Sequence, residues 1–408
     1  MTSSASDSAA TVQGMGNTWI LLVAQAMSGA GPVVAVALGG LAGSYLLGDD
    51  KSLATLPVSS MGVGLAVAAI PAAMFTQRVG RRRGLISGTG FAISGGLIAA
   101  GALAMGSFWL FVFALFLVGL SNAFIQQYRF AAAESVPARL RSQAISRVMI
   151  GGVITALVAP QILLATRDLF DPIPFAGGFV ALSVLALGAF FVLRRLRFRS
   201  GQKKADDPLP TAEPARPFSV IAMQPRFVVA LLCATSSYAL MSFVMTAAPL
   251  AMVDHQHTQA EAVLGIQWHV IAMFAPSLVT GRLIAIFGKT SIVATGLALL
   301  IVSAIVGIAG IELFHFWGML VLLGVGWNFS FVGATAMLTD TYRPAERGRV
   351  EGINDLVVFG SVALASFLSG QTLSTSGWDT INLIVLPVAA IVLTAVLVLV
   401  LQERWKLT

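Results

Sequence analysis

Long apolar runs, each separated from the next by a short polar break, dominate this chain. A helix that crosses a bilayer needs about 20 mainly apolar residues, and twelve runs of the sequence reach that length. The runs cover approximately residues 19–46, 53–76, 85–105, 108–133, 142–165, 173–193, 225–251, 259–286, 290–311, 314–338, 352–373 and 380–402. The pattern predicts an all-α membrane protein with twelve transmembrane helices.

The composition excludes most other classes of protein. Hydrophobic residues make up 57% of the 408 residues and charged residues only 11%, and the mean hydropathy is +0.87. A soluble protein of this length cannot cover its surface with so few charges. The single cysteine, Cys233, excludes an internal disulfide. Residues 1–18 are small and polar and lack the basic start of a signal peptide, so they are expected to form a disordered cytoplasmic tail.

Lysine and arginine residues are concentrated in every second gap between the predicted spans, and this distribution predicts the orientation in the membrane. Only Lys51 and Arg167 fall in gaps on one side. The gaps on the other side hold Arg78, Arg81, Arg82, Arg83, Arg139, Arg141, Arg343, Arg347, Arg349 and the basic residues of a long central linker. That side is predicted to be cytoplasmic, with both termini inside. The net charge of +7 is thus a topology signal, and no nucleic-acid partner is expected.

A repeat divides the chain into two halves. Residues 119–141 align with residues 325–349, so that Asn122 matches Asn328 and Glu134 matches Asp340. Such a duplication is typical of a transporter built from two pseudo-symmetric bundles. The predicted organisation is a tail at 1–18, a six-helix bundle at 19–193, a cytoplasmic linker at 194–224, a second six-helix bundle at 225–402 and a cytoplasmic tail at 403–408.

Three loops resemble those of the major facilitator superfamily. TQRVGRRRGL (76–85) is similar to its DRxGRR loop, with Gln77 in place of the usual Asp, and GRLIAIFGK (281–289) is a weaker second copy. ESVPARLRSQAIS (134–146) resembles the connection between its fourth and fifth helices. The resemblance implies two six-helix halves that rock about a central site to give alternating access. It implies gate and structural roles for Arg78, Arg81, Arg82 and Glu134.

The cargo must be argued from polar groups inside the spans, because the superfamily fold does not specify it. Met241 and Met245 are spaced i,i+4 in the seventh span, and His269 and Met273 have the same spacing in the eighth. Met241 and His269 both lie about ten residues from the outer ends, which is about 15 Å, or half of the hydrocarbon core. We call these four residues the Met/His set. Thioether and imidazole groups suit a soft metal such as Cu(I), although methionine also packs apolar helices.

MxxxM in the seventh span followed by HxxxM in the eighth resembles the CcoA-type bacterial copper importers of the superfamily, a clade that also includes riboflavin transporters. The resemblance implies that Met241, Met245, His269 and Met273 bind copper in passage, as transported substrate and not as a prosthetic group. It implies a multi-pass protein of the bacterial inner membrane that supplies cytochrome oxidase assembly. Members of the superfamily usually act as monomers.

Uptake of a flat organic nutrient such as riboflavin is the alternative. Aromatic and amide groups suited to a ring are present at Asn122, Gln126, Gln127, Tyr128, Trp268, Trp327 and Asn328. No phosphate loop, nucleophile triad or buried carboxylate pair supports an enzyme. Further metal-binding candidates are Cys233, His255 and His257, together with Met27 and Met61 from the first half.

Overall fold

The computed structural model describes residues 2–48, 51–137, 140–166, 168–198 and 215–405, and in these ranges the regular structure is entirely helical. The chain divides into two compact units, Met1–Arg199 and Ser200–Thr408. The predicted linker, 194–224, contains the boundary between the units, and its central part, 199–214, lies outside the described residues.

The described residues of the first unit form eight α-helices and a short 3-10 helix, Lys51–Leu53. The α-helices are α1 (Thr2–Ser28), α2 (Ala30–Leu47), α3 (Leu56–Val79), α4 (Arg81–Ala104), α5 (Phe108–Ile125), α6 (Tyr128–Glu134), α7 (Arg141–Thr166) and α8 (Ala176–Leu193). Two predicted spans are interrupted, the first at Gly29 between α1 and α2 and the fourth at Gln126 and Gln127 between α5 and α6.

The described residues of the second unit form the remaining seven α-helices. They are α9 (Phe218–Ala222), α10 (Pro225–Asp254), α11 (Gln259–Phe274), α12 (Ser277–Phe287), α13 (Lys289–Ala309), α14 (Leu313–Leu338) and α15 (Arg347–Trp405). The eighth predicted span is broken, because α11 and α12 meet at an angle of 42°.

The number of membrane spans agrees with the prediction of twelve. Ten helices in the described residues are long and apolar enough to cross a bilayer, and the bent α11–α12 pair is an eleventh. The longest segment, α15, leaves helical geometry at Gly377, where φ is 78° and ψ is −179°. Its 59 residues would extend about 90 Å as one helix, three times the hydrocarbon thickness. It therefore supplies two spans, 347–376 and 378–405.

The amino terminus differs from the sequence expectation. Residues 2–18 were expected to be disordered, but α1 begins at Thr2. This segment contacts the residues that follow α8, since Gln13 Nε2 and Asn17 Nδ2 donate to the carbonyl of Arg197 at 3.0 and 2.9 Å. At the other terminus the last helix continues to Trp405, past the predicted boundary at 402, and Glu403 pairs with Arg226 at 2.9 Å.

Glycines allow the helices of each unit to approach closely, as expected where apolar burial does not drive helix association in lipid. In the first unit a Cβ atom at Gly64 of α3 would lie 2.3 Å from the carbonyl oxygen of Phe116 on α5. A Cβ at Gly119 of α5 would lie 2.1 Å from the carbonyl of Met61. Any larger residue at either position would push α3 and α5 apart.

The internal repeat reappears as a pair of equivalent ion pairs. Arg81, at the start of α4, donates through Nε to Glu134 at 2.7 Å. Lys289, at the start of α13, donates to Asp340 at 2.5 Å. Glu134 and Asp340 match in the sequence repeat, so each unit ties the end of its fourth span to the start of its third with the same kind of contact. Arg81 and Glu134 thus have the structural contact that the family resemblance implies.

Candidate functional site

The four members of the Met/His set lie in the interior of the second unit. Met241 is 1% exposed, Met273 is 7% exposed and His269 is fully buried. Met241 and Met273 belong to one cluster of buried apolar side chains, and the partly buried Met245 packs against that cluster. The two thioethers of α10 and the one of α11 therefore share one apolar environment.

The imidazole of His269 is fixed by a neighbouring helix. Its Nδ1 atom lies 2.8 Å from the carbonyl oxygen of Leu320 on α14. A carbonyl can only accept, so Nδ1 carries the proton, and in the neutral ring Nε2 then carries a lone pair. Nε2 is buried and has no hydrogen-bond partner among the described residues. His269 thus presents an unsatisfied imidazole acceptor inside the second unit.

A close contact between α11 and α14 sets the position of this histidine. A Cβ atom at Gly324 would lie 2.6 Å from the carbonyl oxygen of His269 and 3.0 Å from the amide nitrogen of Met273. Glycine at this position lets α14 lie directly against the backbone of α11, one turn beyond Leu320. The His269–Leu320 bond depends on that approach.

The break between α11 and α12 is closed by Asn328 on α14. Its Nδ2 atom donates to the carbonyl of Met273 at 2.7 Å and to Ser277 Oγ at 2.6 Å. Its Oδ1 atom accepts from Thr280 Oγ1 at 2.6 Å. Pro276 ends α11 because it has no amide hydrogen to donate. The side-chain amide of Asn328 makes three hydrogen bonds at the break. This residue therefore has a structural role, and its amide is already used by protein partners.

Five aromatic side chains from four helices form an aromatic cluster beside the break. Tyr238 of α10 packs edge-on against Trp327, Phe331 and Phe359, with centroid distances of 5.1, 5.1 and 5.9 Å. Trp327 and Phe331 of α14 are stacked at 5.2 Å and 12°. Phe274 of α11 packs against Trp327 at 6.5 Å, and Phe359 belongs to α15. All but Trp327 are only partly buried, and aromatic groups of this kind are suited to contact a planar ligand.

Trp327 and Tyr238 are the two members of the aromatic cluster that carry a polar group, and Trp327 has the one without a described partner. It is 6% exposed, and its Nε1 atom finds no hydrogen-bond partner among the described residues. Buried indole N–H groups usually have one. An aromatic cluster with one unpaired donor suits a planar ligand that carries a carbonyl group.

The other ring-binding candidates lie elsewhere. Trp268 is 45% exposed on α11. Tyr128 is buried in the first unit, where its hydroxyl contacts Ser28 at 3.3 Å. Gln127 accepts a hydrogen bond from Arg81 at 3.4 Å. No described side-chain hydrogen bond occupies Asn122 or Gln126, and both are partly buried in the first unit.

Sequence reasoning missed four members of the aromatic cluster, namely Tyr238, Phe274, Phe331 and Phe359. A signal for two of them was present. Tyr238 lies three residues before Met241 and Phe331 lies four residues after Trp327, so each shares a helical face with a residue already selected.

The secondary metal candidates are not assembled into a site by the described residues, in which no group of three or more His, Cys, Asp or Glu side chains converges. Cys233 is buried in the same apolar cluster as Met241. His257 is bonded through Nε2 to the carbonyl of Ile311 at 2.8 Å, and both His257 and His255 pack against Phe316.

Comparison with known proteins gives one family. The sequence profile of the Major Facilitator Superfamily matches residues 14–275 and 230–406. The riboflavin transporter RfnT of Brucella anthropi is 46% identical over 92% of this chain and 94% of its own length. Two uncharacterised MFS-type transporters of Bacillus subtilis also match. YdeG is 30% identical over 90% of this chain and 87% of its own, and YddS is 28% identical over 89% and 86%. These relatives give no support to a copper cargo.

Proposed function

Since this chain belongs to the major facilitator superfamily, and is therefore a membrane transporter and not an enzyme, we propose that its cargo is riboflavin. Transport runs inward across a bacterial inner membrane, by alternating access. The positive-inside distribution of Arg and Lys supports cytoplasmic termini.

One observation carries this proposal. The similarity to the Brucella anthropi protein named as a riboflavin transporter extends over nearly the whole of both chains. An alignment over 377 of the 408 residues includes the helices that hold the aromatic cluster and the Met/His set, and does not reflect one shared loop.

The chemistry of the second unit supports the same cargo. The isoalloxazine of riboflavin is a planar ring system, apolar at one end and bearing carbonyl groups at the other. The faces of Tyr238, Phe331 and Phe359 offer stacking and edge contacts to the apolar part. The Nε1–H of Trp327, which is buried and has no described partner, would donate to a ring carbonyl that reaches it. Riboflavin thereby meets both the aromatic surface and the unsatisfied donor.

The Met/His set has a place in this function without a metal. Met241 lies one turn after Tyr238 on α10, and Met273 directly precedes Phe274 on α11. Thioethers make favourable contacts with the edges of aromatic rings. The methionine side chains would thus supply apolar, polarisable contacts next to the aromatic cluster.

Copper transport is the second candidate, and His269 is the observation that favours it. Its free Nε2 lone pair and the thioethers of Met241 and Met273 are the ligand types that Cu(I) prefers. The two cargoes make different demands on the methionines: copper needs the sulfur atoms, whereas a flavin ring needs only their bulk and apolarity.

Uptake by cells that cannot synthesise riboflavin separates the two candidates. Cells expressing the wild type are supplied with radioactive riboflavin and, separately, with radioactive copper. We expect riboflavin uptake that survives the volume-conserving double substitution M241L/M273L and is lost in Tyr238→Ala. Membrane abundance measured by immunoblotting normalises each variant.

Two results would overturn the riboflavin proposal. One is the absence of riboflavin uptake by a wild type that is abundant in the membrane. The other is copper uptake that M241L/M273L and His269→Ala abolish, in cells whose riboflavin uptake equals that of an empty vector.

A further inference from the structure

A basic pocket lies at the end of the first unit that carries the cytoplasmic charge signal. It has a volume of about 770 Å³ and is lined by α1, by the start of α4 and by the residues that follow α8. Its charged lining residues are Arg82, Arg194, Arg195 and Arg197. The lining residues that the structure describes include no acidic side chain, so four positive charges of the described chain converge on one cavity.

Hydrogen bonds hold the backbone around this basic pocket in place. They use the backbone groups of Arg194 and Arg197, so they do not occupy the guanidinium groups of these two residues. The side chain of Asn17 binds the backbone of Arg197 through two hydrogen bonds. Its Nδ2 atom donates to the Arg197 carbonyl, and its Oδ1 atom accepts from the Arg197 amide at 3.1 Å. Arg82 donates to the carbonyl of Arg194 at 2.6 Å. The guanidinium groups of Arg195 and Arg197 form no ion pair or hydrogen bond among the described residues.

Some other basic residues at the ends of the spans have carboxylate partners. Arg81 pairs with Glu134 in the same unit, and Arg226 pairs with Asp340 and Glu403 in the second unit. The positive-inside rule asks only for charge on one side of the membrane. It does not require four arginines to line one cavity, so the described lining of the basic pocket offers these charges to an anion.

The surroundings of the basic pocket suit a lipid. Val184, Leu187 and Phe191 are 62%, 44% and 56% exposed along α8, and their spacing places them on one face that leads towards Arg195. An acyl chain lying on this face would bring its headgroup to the pocket. Trp19, 56% exposed, lies beside the lining residues Asn17 and Ile20 under the guanidinium of Arg147, as is typical of the interface.

We propose that the basic pocket binds the phosphate headgroup of an anionic phospholipid of the cytoplasmic leaflet. Arginine recognises phosphate through paired N–H donors, and basic pockets between helices on this side of a membrane select anionic headgroups. The acyl chains lie along the exposed face of α8. The lipid thereby links the end of α8 to α1 and α4.

The test counts lipids bound to the purified full-length protein by native mass spectrometry. Dioleoylphosphatidylglycerol and dioleoylphosphatidylcholine are titrated separately onto the wild type, R195Q/R197Q and the control R83Q/R282Q. The control removes two exposed arginines that do not line the basic pocket. We expect the wild type to prefer phosphatidylglycerol, and this preference to fall about tenfold or more in R195Q/R197Q while it stays unchanged in the control.

Three results would overturn the proposal. The first is equal binding of the two lipids by the wild type. The second is an equal loss of the preference in R195Q/R197Q and in the control, which would indicate overall charge only. The third is displacement of phosphatidylglycerol by millimolar inorganic phosphate, which would assign the pocket to a free anion. Gel filtration and thermal unfolding verify that each variant is folded.

Discussion

The Nδ1 atom of His269 lies 2.8 Å from the carbonyl oxygen of Leu320, and this contact joins two helices that are separate in the sequence. It fixes which nitrogen of the ring holds the proton and leaves Nε2 without a partner among the described residues. In this side chain Nδ1 makes a structural hydrogen bond, whereas Nε2 has no described partner. Substitutions can separate the contributions of the two atoms.

Substituting His269 by asparagine or alanine tests how much the Nδ1 hydrogen bond contributes to stability. The side-chain amide of asparagine places a donor close to the position of Nδ1, whereas alanine has none. We expect His269→Ala to lower the free energy of unfolding by about 2–4 kcal/mol, because a buried side chain is lost. His269→Asn should recover about 1 kcal/mol of that loss. Thermal unfolding in detergent measures both, and equal losses would show that the bond to Leu320 contributes nothing.

Two buried tryptophans of the second unit form a matched pair for testing the unsatisfied donor. Trp378 Nε1 donates to the carbonyl of Gly307 at 3.1 Å, whereas Trp327 Nε1 has no described partner. Trp327→Phe should leave the free energy of unfolding nearly unchanged and raise the KM for riboflavin about fivefold to tenfold, because one hydrogen bond to the ring is lost.

Trp378→Phe should show the opposite pattern, a loss of about 1 kcal/mol of stability with an unchanged KM. Concentration-dependent uptake and thermal unfolding of both variants provide the readout. A KM that Trp327→Phe leaves at the wild-type value would remove Trp327 from the binding site.

The repeat offers an internal control for Asn328. Asn328 forms three side-chain hydrogen bonds at the α11–α12 break, whereas its counterpart Asn122 has no described side-chain bond. Asn328→Ala should lower the free energy of unfolding by about 2–3 kcal/mol, since it leaves buried polar groups unpaired. Asn122→Ala should cost less than about 1 kcal/mol. Similar losses in the two variants would contradict the structural role of Asn328.

The Arg216–Glu346 contact predicts a pH dependence of stability. Arg216 donates to Glu346 through its amide, Nε and Nη2 at 2.6–2.9 Å. These bonds, led by that from the Arg216 side chain, lower the pKa of Glu346 from 4.5 to about 2. Because the pKa is lowered on folding, the contact stabilises the protein fully above pH 4.5, and the stabilisation is lost as the pH falls towards 2.

The melting temperature of Glu346→Gln should therefore lie below that of the wild type at pH 7, and the difference should narrow below pH 4.5. Glu312→Gln, at an exposed carboxylate with no described ion pair, serves as the control and should show no such gap. A difference between wild type and Glu346→Gln that is constant from pH 7 to pH 3 would contradict the assignment.

The site was only partly predictable from the sequence. The spacing of Met241, Met245, His269 and Met273 identified the helices that carry it, and the structure buries three of the four in one unit. Spacing does not show which way a ring points, so the bond from His269 to Leu320 was not foreseen. The aromatic cluster was missed because its members come from four helices and touch only when these pack together.

The sequence by itself determined the twelve spans and the two halves, because the length of an apolar run and a repeat are local properties that the bilayer thickness converts directly into helices. It did not determine which span breaks. Pro71, Pro160 and Pro249 lie inside the continuous helices α3, α7 and α10, whereas Pro276 separates α11 from α12. Only the tertiary structure decided this, because in the membrane a broken helix must have its freed polar groups satisfied by a neighbour, and Asn328 on α14 lies opposite Met273 and Ser277.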